Sequence, residues 1–164
     1  MTNTDKNLAA AFAGEAQANR KYLAFAKQAE QEGHKQVAKL FRAAAEAETL
    51  HAHAHLKAMG GIKSTLENLK TAVAGETYEY EEMYPPFIEQ AKADNNAAAV
   101  RTFELANGAE KVHAGLYQKY LDNVNNLEET DLYLCTICGH IHEAGAPDKC
   151  PICGARAVAF KKVD

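Results

Sequence analysis

Two groups of residues in this 164-residue chain have the types and spacing of metal ligands. In the first, Glu48-x-x-His51 and Glu110-x-x-His113 each set a carboxylate three residues before an imidazole. On a helix those positions share a face one turn apart, roughly 5 Å along the axis, so each pair can offer an oxygen and a nitrogen to one ion. The second group is Cys135-x-x-Cys138-Gly139 and Cys150-Pro151-Ile152-Cys153-Gly154. Four thiolates can surround a single tetrahedral ion, and the glycines let the backbone turn around it. All four cysteines fall between positions 135 and 153, and nothing else in the sequence suggests export, which favours a metal over disulfides. Zinc and iron both accept four thiolates, and only iron can carry an electron, so a structural zinc ribbon is the redox-silent alternative.

The helical ligand group is doubled by an internal repeat. Ala11-Phe12-Ala13-Gly14-Glu15 matches Ala72-Val73-Ala74-Gly75-Glu76, and Phe41 precedes Glu48 by seven residues as Phe103 precedes Glu110. Glu15 lies 33 residues before Glu48, and Glu76 lies 34 before Glu110. Each half therefore reads as a helical hairpin with one Glu on its first helix and Glu-x-x-His on its second. One Glu from each of two helices plus Glu-x-x-His from each of two others is the donor set of carboxylate-bridged di-iron or di-manganese bundles. Glu79, one turn after Glu76, adds a carboxylate that the first half lacks. Glu82 competes with Glu76 for the ligand position, and Glu76 is preferred because it has a repeat partner. Without cations the mutual repulsion and burial of Glu15, Glu48, Glu76, Glu79 and Glu110 would raise some of their pKa values. In the run His51-Ala52-His53-Ala54-His55 the three rings cannot share one face. His53 points elsewhere, and His55 reads as hydrogen-bonded or solvent-facing. Tyr22 and Tyr84 read as phenols hydrogen-bonded to ligand carboxylates.

The elements that must hold these residues are long helices. Of 32 alanines, 27 lie at or before Ala114, which suits close-packed helices. Apolar spacing predicts helices over about 5–31, 35–59 and 96–123, with Gly33 and Gly60-Gly61 as stops. Ser64 to Glu67 reads as a capping box opening a short helix to about Ala74, followed by a long helix from about Gly75 to Ala93 that Pro85-Pro86 should kink. A polar linker, NVNNLEETD, then precedes the cysteines. The expected domains are 1–128, a four-helix bundle, and 129–164, a small domain folded around its metal. A net charge of −4 gives no basic field for nucleic acid, and the apolar runs are too short to span a bilayer. The opening residues lack the pattern of a secretory signal, so the expected location is cytoplasmic. No Gly-x-Gly-x-x-Gly dinucleotide motif occurs.

Nearly the whole chain resembles the rubrerythrin family, a ferritin-like di-iron four-helix bundle followed by a rubredoxin-like domain. The resemblance rests on Gly14-Glu15, Glu48-x-x-His51, Gly75-Glu76-x-x-Glu79, Met83-Tyr84-Pro85, Glu110-x-x-His113 and the cysteine pairs ending in CPICG; Pro86 departs from the family's pattern. It implies two irons held by Glu15, Glu48, His51, Glu76, Glu79, Glu110 and His113, with Glu48 and Glu110 bridging and one iron exchanging Glu79 for His51 on change of oxidation state. It also implies a third iron on Cys135, Cys138, Cys150 and Cys153. The implied activity is reduction of hydrogen peroxide to water, with Glu79 relaying protons and Tyr22 and Tyr84 steadying ligands. Electrons would come from NADH through a separate reductase, or from rubredoxin. The implied assembly is an antiparallel homodimer in which the rubredoxin-like domain of one subunit lies near the di-iron site of the other. An iron-handling ferroxidase is the alternative activity, and a bundle with a zinc ribbon the non-catalytic one.

Overall fold

The computed structural model describes residues 2–164 and divides into two compact units, Met1–Lys63 and Ser64–Asp164. The first unit is a helical hairpin of α1 (Asn3–Gln31) and α2 (Lys35–Ala58). A capping box starts α1, with the Asp5 amide donating to Thr2 Oγ1 at 3.1 Å and the Thr2 amide to Asp5 Oδ2 at 2.7 Å. Gly33 turns the chain at φ +83°, where a side chain would strain the backbone. The buried residues of this hairpin are all alanines: Ala26 and Ala29 on α1, and Ala38, Ala45 and Ala52 on α2. The seven-residue spacing on α2 forms a narrow seam that lets the helix backbones approach closely. Asn19 staples it, donating from Nδ2 to the Ala45 carbonyl at 2.7 Å and to Thr49 Oγ1 at 2.8 Å. Tyr22, Phe25 and Phe41 cluster on the same hairpin, with ring centroids 5.5–6.4 Å apart.

In the second unit, α3 (Thr65–Tyr78) leads through a π-helical segment (Glu79–Met83) into α4 (Tyr84–Ala93), and α5 (Ala97–Asn123) packs against all three. The expected Ser64 capping box is present. The expected division near Gly75 is absent: α3 runs unbroken through it, and the irregularity lies at Glu79–Met83. Pro85 and Pro86 sit in the first turn of α4 and have no N–H to donate to the carbonyls of Glu81 and Glu82, so the α ladder must change register beside them. The Tyr84 amide donates five residues back, to the Glu79 carbonyl.

This segment accounts for the one-residue mismatch in the repeat. Tyr84, Phe87 and Phe103 form a second aromatic cluster with centroids 5.8–6.5 Å apart, at the same sequence intervals as Tyr22, Phe25 and Phe41. Tyr22 follows Glu15 by seven residues, but Tyr84 follows Glu76 by eight. The extra residue falls in the π turn.

After the linker, β1 (Leu132–Cys135) lies between β2 (Ile141–Glu143) and β3 (Phe160–Val163), antiparallel to both. This small sheet is tied to α5 within the unit. Lys119 Nζ pairs with Glu143 Oε2 at 2.6 Å, and Gly108 admits Ile152 so closely that a Cβ would meet its Cγ2 at 2.9 Å. Because Ala38 is fully buried in the alanine seam, Ala38→Leu should force the helices apart and cost about 1–3 kcal/mol of stability. Urea unfolding followed by circular dichroism reads the loss.

Candidate metal centres

Each unit assembles one half of the helical donor set. In the first, Glu15, Glu48 and His51 bring one ligand atom apiece within 4.8 Å of one another. His51 Nδ1 lies 2.8 Å from Glu48 Oε2 and 3.9 Å from Glu15 Oε1. In the second, Glu76, Glu110 and His113 do the same, with His113 Nδ1 2.7 Å from Glu110 Oε2 and 3.5 Å from Glu76 Oε2. The repeat in sequence is thus a repeat in geometry, down to the ring nitrogen that faces the carboxylates. Glu82 is exposed and outside the group, whereas Glu76 is within it.

The second triad has the electrostatics of a site that needs a cation. His113 Nε2–H donates to the Gly139 carbonyl at 2.9 Å, which turns Nδ1 toward the carboxylate oxygens. Glu76 Oε2 is buried with no hydrogen-bond partner. Burial, then the hydrogen bond and charge of Glu110, raise the Glu76 carboxyl from 4.5 to about 7. Glu79 is outside the triad but close enough to feel it, raised by burial and then by the charge of Glu110. Tyr84 is raised by burial, then by the charges of Glu110, Glu79 and Glu76. Among the described residues neither Tyr22 nor Tyr84 is hydrogen-bonded to a carboxylate. Tyr22 packs against Phe25 and Phe41. His53 is exposed and His55 half-buried.

The four cysteines form a third group within 4.8 Å and are unpaired as disulfides. Cys135 Sγ and Cys153 Sγ lie 3.7 Å apart, and Cys138 Sγ and Cys150 Sγ 3.5 Å apart. Two matching turns produce this: Gly139 donates to the Cys135 carbonyl at 3.0 Å and Gly154 to that of Cys150 at 2.9 Å, with φ of +84° and +74°. Burial pushes the Cys135 thiol up, but backbone N–H groups of Cys138 and Ile137 outweigh it and bring the thiol to about 7. The Cys138 and Cys153 thiols are raised, first by burial. Four crowded sulfurs with backbone donors turned toward them fit one thiolate-bound ion.

A family profile described as rubrerythrin matches residues 6–121, and one described as the rubredoxin-like domain of rubrerythrin matches residues 133–161. The chain belongs to the rubrerythrin family. Nigerythrin of Nitratidesulfovibrio vulgaris is 38% identical over 92% of this chain and 82% of its own length. The rubrerythrin of that organism is 34% identical over 98% and 94%. Among solved structures, fully reduced, all-ferrous nigerythrin superposes with a TM-score of 0.61 at 36% identity, covering 99% of this chain and 88% of that one. The fold class is the expected one, mainly helical with a small four-cysteine domain at the C-terminal end, and the donor sets fit the rubrerythrin family's pair of irons and its four-thiolate iron.

Sequence reasoning missed three features of this rubrerythrin-family chain. The Asn19–Thr49 staple beside Glu48 carries no motif. The Gly139 carbonyl that orients His113 is a backbone group, invisible to residue type. His140 is 3% exposed, with both ring nitrogens unpartnered among the described residues, packed between His142 and Phe160. The raised Glu76 carboxyl gives a sign that can be measured. A carboxyl lifted from 4.5 to about 7 binds its proton more tightly in the folded state, so its stabilising contribution is full below about 4.5 and lost as pH rises through 7. Metal-free protein should melt at lower temperature at pH 7.5 than at pH 5, and Glu76→Gln should shrink that difference.

Proposed function

We propose that the chain is a cytoplasmic non-haem peroxidase that reduces hydrogen peroxide to water, using electrons relayed through its four-cysteine centre. The observation that carries this reading is the His113 ring, which faces Glu110 and Glu76 with one nitrogen and donates to Gly139, next to Cys138, with the other. A ligand of the helical site is therefore one hydrogen bond from the chelating loop of the thiolate site. A structural zinc ribbon has no use for such a link, and a storage protein has little use for an attached electron carrier.

Iron held by these residues supplies the redox chemistry: a ferrous pair holds the two electrons that an O–O bond takes up, and a four-thiolate iron passes electrons singly. The chain supplies the protons and the geometry. Reducing one peroxide to two waters consumes two electrons and two protons. Glu79, raised by burial and by Glu110, keeps its carboxyl proton more tightly than an ordinary glutamate and can give it to a departing oxygen. The Tyr84 phenol, kept protonated by burial and by three neighbouring carboxylates, remains a donor beside them. The electron source in this reading is NADH through a separate reductase, or rubredoxin, and the working assembly is a homodimer.

Anaerobic titration of the reduced protein should consume one peroxide per iron pair, faster than oxygen oxidises it. Cys135→Ser should lower turnover driven by an external donor at least tenfold while leaving the first, single-turnover reaction with peroxide intact. Faster oxidation by oxygen with accumulation of mineral would mark a ferroxidase instead. Zinc alone at the four-cysteine site would remove the relay.

A further inference from the structure

We propose that the face of the small domain carrying Ile137 and Val158 is the docking surface for an acidic electron-donor protein, steered there by Lys149, Arg156 and Lys161. The inference rests on the peroxidase reading above and concerns where the electrons enter. Each encounter passes one electron from the donor to the four-thiolate iron, ferric to ferrous, with no bond made or broken. Two encounters supply the two electrons that one peroxide takes up.

The first argument is that the four-cysteine site has an inner and an outer side. On the inner side Ile152, in the Cys150–Cys153 turn, lies against Gly108 of α5, and the Gly139 carbonyl is taken by His113. The Cys135–Cys138 turn carries the outer side. There the Ile137 amide faces the Cys135 sulfur while the residue is 56% exposed, so a protein touching Ile137 is one residue from a thiolate. The Thr136 amide donates to the Ala159 carbonyl at 2.9 Å and its hydroxyl at 2.8 Å, which continues the β1–β3 pairing beyond Cys135 and Phe160 and sets Ile137 beside Val158. Val158 is 86% exposed. Two adjacent branched side chains this open contribute little to the domain's own core, and they form an apolar contact at the edge of the redox centre.

The second argument is that charge is sorted along β1. At its Leu132 end the acids have partners: Asp131 pairs with Lys162 at 2.8 Å, and Glu143, opposite Leu132, pairs with Lys119 at 2.6 Å. Toward the other end, about 10 Å away, the cations have none. Arg156 stands two residues before Val158 and Lys161 three after it, and Lys149 bridges to Arg156. All three are exposed and make no ion pair among the described residues, and Asp148 offsets one of them. The whole chain carries −4, so an acidic protein is repelled on average and drawn to this spot. A cationic rim around a small apolar contact suits the brief, salt-sensitive encounters of electron-transfer proteins, which bury less than about 1,200 Å².

Stopped-flow reduction of the ferric, iron-loaded full chain by flavodoxin hydroquinone, an acidic one-electron donor, tests the surface, with bleaching of the thiolate-to-iron absorption as the readout. The second-order rate should fall at least about tenfold from low to high salt, and the Lys149→Glu/Arg156→Glu/Lys161→Glu chain should lose about as much at low salt and become insensitive to salt. Val158→Asp should slow the reaction about threefold at low salt. Reversing Lys6, Lys21 and Lys39, exposed cations of the first unit, makes the same change in net charge and should leave the rate within about twofold. Photoreduction by free deazaflavin, which needs no docking, should be the same in every variant. Equal losses in the two triple variants, or a wild-type rate indifferent to salt, would overturn the proposal. So would a change of oligomeric state in the first triple variant by light scattering, since another copy would then cover the face. If photoreduced protein is reoxidised by peroxide but the patch variants match wild type, the docking surface falls and the peroxidase reading stands. Photoreduced protein that peroxide does not reoxidise would sink both.

Discussion

The structure is organised around buried acceptors that only a cation can satisfy. In the second unit Gly139 takes up Nε2 of His113, so Nδ1, Glu110 and Glu76 converge on one point, and the carboxylates bring negative charge there once ionised. Without metal the strain appears as a carboxyl that holds its proton to about pH 7 and an oxygen with no partner. The four sulfurs at 3.5–3.7 Å pose the same demand. Groups like these repel one another and cost free energy to bury, so the surrounding fold must hold them in place. The alanine seam, the capped helix starts and the paired glycine turns serve that end.

The π segment shows how one insertion alters a duplicated site. In an α-helix each residue advances about 100°, so an extra residue would swing Tyr84 and Phe87 away from the face that carries Glu76. The wider π turn absorbs most of that rotation, and both the carboxylates and the aromatic cluster keep their counterparts' positions. Glu79, the carboxylate without an equivalent in the first hairpin, opens the same segment. The irregular turn and the additional acid are therefore one local feature, sited where the prolines already prevent a regular ladder.

Much of this was legible in the residues. Glu-x-x-His in duplicate, Gly-Glu ahead of each copy and paired Cys-x-x-Cys-Gly turns identify the donor atoms because their chemistry is carried by residue type and spacing. Helix ends were legible at Gly33 and Ser64 for the same reason, since left-handed turns and capping boxes have side-chain signatures. The division of the helix around Gly75 was misread because glycine in a helix is tolerated, while the π register is a compromise between proline and carbonyl geometry that no local spacing encodes. Gly139 of the rubredoxin-like domain binds His113 of the same chain, a contact between a backbone oxygen and a ring that residue types cannot announce.

That contact makes the two histidines of the repeat unequal. His113 is held at both nitrogens and largely buried, while His51 is held at Nδ1 alone among the described residues and is mostly exposed. A ligand fixed at both ends keeps its geometry when the charge of a bound ion changes, and a ligand fixed at one end can leave. Glu79 has the complementary property, a carboxylate beside the triad but outside it. In the proposed peroxidase, an exchange of Glu79 for His51 would fall on the two donors that this chain leaves free to move, and the proposed relay to the four thiolates would run through the donor that it locks.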